Sequence, residues 1–66
     1  MAYSYDFAAR KTIYKGRTLA QLYWARNDIM EARKLAQELG NADRECFYLD
    51  ELHTVAQAIR KQRGQV

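Results

Sequence analysis

From Thr18 to Leu39 the chain reads TLAQLYWARNDIMEARKLAQEL, with no proline or glycine and mostly good helix formers. Thr18 and Gln21 have the spacing of a capping box, in which hydroxyl and amide each satisfy an orphan backbone N–H. Gly40-Asn41 closes the other end, because glycine takes the left-handed position after a helix without a Cβ clash. The spacing predicts a helix over 19–39, roughly 30 Å long at ~1.5 Å per residue. In a chain of 66 residues that rod is as long as the domain is wide, and every other segment has to be arranged around it.

Advancing about 100° per residue puts Leu22, Ala25, Ile29, Ala32, Ala36 and Leu39 on one face of this helix. Three of the six are alanine, so a neighbouring helix could approach closely. Beyond Arg26 and Arg33 lies a second apolar cluster of Leu19, Tyr23 and Met30. A helix with one neighbour does not need two apolar faces, and this excess points to oligomerisation. A second helix is expected over 42–60, with Asn41 as N-cap and Asp43 and Glu45 in its favourable first turn. Its stripe is Tyr48, Leu49, Leu52, Val55, Ala56 and Ile59, and Arg60, Lys61 and Arg63 complement the negative end of its dipole.

A two-residue link joins only antiparallel neighbours. The expected fold is therefore all-α: a two-helix antiparallel hairpin over residues 18–63, dimerising as a four-helix arrangement. Residues 1–17 form a separate arm, and 64–66 a frayed tail. In the arm Tyr3, Tyr5 and Phe7 alternate with Ala2, Ser4 and Asp6, the period of a half-buried strand, and Thr12-Ile13-Tyr14 is a second β-prone run. This aromatic arm is read as extended and laid on the helices or on another subunit, with a helical turn through Phe7–Arg10 as the alternative.

A chain this short is one domain, and it lacks the usual staples of small domains, since Cys46 is the only cysteine. No apolar run approaches the ~20 residues that span a bilayer, and the first residues lack the apolar region of a secretory signal. A soluble cytoplasmic protein with no membrane partner is expected. The net charge of +3 says less than its distribution. Folding the hairpin gathers Lys15, Arg17, Arg60, Lys61 and Arg63 at one end and Glu38, Asp43, Glu45, Asp50 and Glu51 at the other.

Candidate chemistry is sparse. Cys46, Asp50 and His53 share a flank of the second helix, but seven residues separate thiol and imidazole by ~10 Å along the axis, far beyond the ~3 Å of a working nucleophile–base pair. No glycine-rich loop could cradle a phosphate. No catalytic, metal or cofactor-binding residue is expected, and the chain reads as non-enzymatic. Residues 32–51 can be laid on a helix-turn-helix template, with Ala36 at the small position, Gly40 at the turn, and Cys46 and Leu49 at the later core positions. The recognition helix would then carry Asp43, Glu45, Asp50 and Glu51, which phosphates repel. Arg10, Lys11, Lys15 and Arg17, with Tyr5 and Tyr14 interleaved, form an alternative nucleic-acid contact of stacking and charge. Such residues are more often simply solvated.

Trp24 and Phe47 break the pattern. Each lies off its helix's apolar stripe, and large aromatics on polar faces are either covered by another segment or offered to a partner. The arm could cover Trp24; Phe47, near the turn, reads as a contact. The surface assigned to a heterologous protein partner is Leu19, Tyr23, Trp24 and Met30 with Arg26 and Arg33, followed by Phe47 and Tyr48. Through the compact LYWARNDIM helix and the short hairpin, the chain resembles in size and architecture the small helical regulators that bacteriophages encode to block or redirect host proteins. The resemblance implies an inhibitor or adaptor that occludes part of a partner protein, and it carries over no functional residue. The rival readings are a small nucleic-acid-binding regulator and a structural assembly subunit.

Overall fold

In the computed structural model, which describes residues 3–64, three helices follow one another: α1 (Phe7–Tyr14), α2 (Leu19–Glu38) and α3 (Ala42–Gly64). The described residues contain no strand. The all-helical expectation stands, but the count is three rather than two. The correction lies in the arm. Asp6 caps α1 by accepting from the Ala9 amide at 3.1 Å, and Phe7-Ala8-Ala9-Arg10-Lys11 then propagates a helix that the β-prone Thr12-Ile13-Tyr14 joins rather than breaks. Gly16, at φ 78°, ends it. Only Tyr3–Asp6 precedes the helix, and there the period of two does hold. Tyr3 and Tyr5 both turn their hydroxyls to α3. Ala2 and the tail residues Gln65 and Val66 lie outside the described residues.

The caps of the long helices follow the residue types. Thr18 accepts from the Gln21 amide at 3.2 Å while the Gln21 side chain accepts from the Thr18 amide at 3.0 Å, closing the capping box. At the other end Gly40 has φ 70°, with Gly40 N–H donating to Gln37 O and Asn41 N–H to Ala36 O. This is the Schellman arrangement that only a residue tolerant of the left-handed region completes without strain. Asn41 then caps α3 by accepting from the Arg44 amide at 3.1 Å. Helix α3 continues to Gly64, four residues past the expected end, because nothing from Lys61 to Arg63 breaks it and its basic last turn offsets the dipole.

The core is small and sits at one end. Leu22, Val55 and Ile59 are buried, and Tyr14, Leu19, Tyr23, Ile29 and Ala58 pack around them. Leu22 belongs to the first turns of α2 and Ile59 to the later half of α3, so the core lies away from the Leu39–Asn41 link. Toward that link only Ala36 is buried on α2, and Leu35 and Leu39 are exposed. Helix α1 leans on α3 beside the core, and the whole measures 40 × 22 × 14 Å. None of the helices is long and apolar enough to cross a membrane.

Candidate partner-binding surface

The junction of the N-terminal segment with α3 is built around one buried carboxylate. Glu51 is 2% exposed, and Arg10 from α1 grips it with both ends of its guanidinium fork, Nε reaching Oε1 at 2.9 Å and Nη2 pairing with Oε2. Tyr5 donates its hydroxyl to Glu51 Oε1 and lies 3.0 Å from the Thr54 hydroxyl. Burial by itself would raise the carboxyl's affinity for a proton. Donation from Arg10, Tyr5 and Tyr14 outweighs it and holds Glu51 below the ordinary value of 4.5. The same contacts act in reverse on the donors. Burial, then the bond to Glu51, pushes the Tyr5 hydroxyl up to about 12.

Above this clamp the aromatics interlock. Tyr5 meets Phe7 edge-on at 4.4 Å between centroids and Phe47 at 5.4 Å, Phe47 meets Tyr48 at 5.6 Å, and the Arg10 guanidinium lies 5.7 Å from the centre of the Phe47 ring. Phe47 is therefore half-buried under the N-terminal segment instead of standing free near the turn. The sequence pattern missed this because covering Phe47 requires the segment to cross α3, not α2.

Trp24 has the opposite fate. It is 75% exposed on α2, the most exposed of the large apolar side chains among the described residues, and the N-terminal aromatics do not reach it. At about 100° per residue Leu35 lies almost directly in line with it and Leu39 within about 60°; these two are 56% and 74% exposed. Asp28, Glu31 and Glu38 lie between and beside them. A shallow groove of about 410 Å³, lined by Arg17, Ala20, Gln21, Trp24, Ala25 and Asp28, runs beside the indole.

The remaining expected contact residues divide. Leu19 and Tyr23 pack against the core, with Arg26 over the Tyr23 ring at 5.0 Å. Met30 is half-exposed but lies about 120° around α2 from Trp24. Arg33 is half-buried, and its Nε has no hydrogen-bond partner. The six expected contact residues on α2 thus do not share one face, and Phe47 and Tyr48 lie apart from them on α3. Leu35, which the sequence reading left aside, belongs with Trp24; its alignment with the indole was visible in the spacing of eleven. Of the basic residues assigned to nucleic acid, Arg10 is tied to Glu51, Arg17 donates to the Ile13 carbonyl, and Lys11 and Lys15 are exposed. The helix-turn-helix template fails at its later core positions, because Cys46 and Leu49 are exposed. Asp50 accepts from Tyr3. No family model matches the chain, and neither the curated proteins nor the solved structures give a match.

Proposed function

We propose that the protein is a small non-enzymatic regulator, an inhibitor or adaptor that acts by covering a surface of a partner protein, with Trp24 as its anchor. The exposure of Trp24 carries this reading. An indole standing three-quarters in water, on a helix whose opposite face is packed, is the kind of residue that dominates binding energy when a pocket closes over it. Leu35 and Leu39 extend the apolar contact toward the Leu39–Asn41 link, and Asp28, Glu31 and Glu38 give it an acidic border that favours a basic rim on the partner. In this reading α2 and α3 act as an antiparallel hairpin that dimerises as a four-helix arrangement, and Met30, on a different flank of α2, is the apolar residue left for the second copy. A cytoplasmic setting suits the exposed free thiol of Cys46.

The test is affinity capture from lysate of the producing cells, with wild type, Trp24→Ala and Lys34→Ala as baits and quantitative mass spectrometry as the readout. A protein recovered by wild type and Lys34→Ala, but bound at least about thirtyfold more weakly by Trp24→Ala, supports the anchor. Equal recovery by all three baits overturns it.

A further inference from the structure

On the far side of the clamp from Phe47, α1 and the C-terminal half of α3 enclose a cleft of about 630 Å³ whose floor includes Leu22, Tyr14 and Ala58. That volume falls in the range of small-molecule sites, which are mostly apolar with a few convergent polar groups. Three of its lining residues are lysines, Lys11 and Lys15 from the α1 side and Lys61 from α3, and no acidic residue lines it. The nearest carboxylate along α3, Glu51, is already neutralised by Arg10, in the one ion pair among the described residues. Among the described residues, three cations therefore share one apolar-floored cleft with no acidic side chain in its lining. We propose that this cleft is a binding site for a small amphipathic anion, a carboxylate or phosphate head held among Lys11, Lys15 and Lys61 with its aliphatic body laid on Leu22 and Ala58.

The clamp makes the site ready-formed. One wall is α1, and the Arg10–Glu51 pair fixes that wall to α3 one turn before Thr54, itself a lining residue. A ligand meeting an ordered cleft avoids the entropic cost of assembling it. Lysine suits a head group of either type, since it meets carboxylate and phosphate alike as a point charge. The site is independent of the surface around Trp24, which contributes nothing to its lining.

The experiment is a nuclear magnetic resonance titration of the full chain with octanoate and octyl phosphate, alongside octanol and inorganic phosphate as the body and the head alone. The expected result is saturable shifts at Leu22, Thr54 and Ala58 with octanoate, octyl phosphate or both, at least about tenfold tighter than with octanol or free phosphate. Saturation by only one of the two amphiphiles identifies the head group. Replacing the three lysines together, Lys11→Gln, Lys15→Gln and Lys61→Gln, should weaken binding about tenfold, and Lys61→Gln alone about two- to threefold. Lys34→Gln, on α2 outside the cleft, should leave it unchanged. All four positions are exposed, and circular dichroism checks that helix content is retained. Octanol binding as tightly as the anions, shifts centred on Trp24 and Leu39, no saturation, or indifference to the triple replacement each overturns the assignment.

Discussion

Phe47 and Trp24 are both large aromatics set off the apolar stripe of a long helix, and the molecule treats them in opposite ways. Phe47 is roofed by Tyr5, flanked by Tyr48 and overlaid by the Arg10 guanidinium. Trp24 stands open, on the same flank of its helix as the exposed Leu35 further along. The difference comes from a polar contact rather than from either ring. The N-terminal segment crosses α3, where Arg10 and Tyr5 engage Glu51, and neither of them engages a carboxylate of α2. An ion pair thus decides which aromatic is structural and which is free for another molecule.

Breaking that pair has the largest expected effect. Arg10→Ala leaves Glu51 buried with only hydroxyl donors and should cost about 3 kcal/mol, the low end for an orphaned buried charge because the Arg10 side chain keeps 32% of its own exposure. Urea denaturation measures the loss, and hydrogen exchange should show α1 amides unprotected while α2 keeps its protection. A loss below about 0.5 kcal/mol would mean that the clamp does not hold the segment. Next comes Phe47→Ala, expected to cost about 2 kcal/mol, roughly half the value for a fully buried phenylalanine. If Phe47 were a partner contact instead, its loss would weaken capture and leave the urea midpoint in place.

Acid provides a graded version of the first experiment. Glu51 holds its proton more weakly folded than unfolded, so its contribution is fully present above the ordinary value of 4.5 and is lost as pH falls through the lower folded value. The α1 amides should lose protection over that window, and Glu51→Gln should remove this component of the pH dependence. A profile identical in wild type and Glu51→Gln would place the acid sensitivity elsewhere. The smallest effect belongs to Trp24→Ala, whose urea stability should stay within about 0.5 kcal/mol of wild type. In the wild type the Trp24 indole should also be quenched by iodide nearly as readily folded as unfolded. A shielded indole would mean that a second copy or the N-terminal segment covers it in solution.

Much of this molecule could be read from local chemistry. The capping box at Thr18 and Gln21, the left-handed Gly40 and the Asn41 cap are decided by contacts within five residues, and each appears where its residue types place it. Helix α1 carried such a signal too, in Asp6 three residues before Ala9, but the alternation of Tyr3, Tyr5 and Phe7 competed with it. That alternation is real only as far as Asp6. The contact surface was less legible. Trp24's position on a polar face was evident from spacing, whereas Leu19 and Tyr23 had the same apolar character and turned out to serve the core.

The sequence by itself determined the two long helices, the caps that open both and close the first, and the presence of one aromatic on each that its own stripe does not use, because capping and periodicity act over a turn or two of chain. The tertiary structure alone decided that Glu51, an ordinary acidic residue in the sequence, is the buried centre on which the N-terminal segment closes. The partners that make it so, Tyr5 and Arg10, lie 46 and 41 residues away along the chain. A carboxylate is stable out of water only where such distant donors converge on it, and neither composition nor periodicity encodes that convergence.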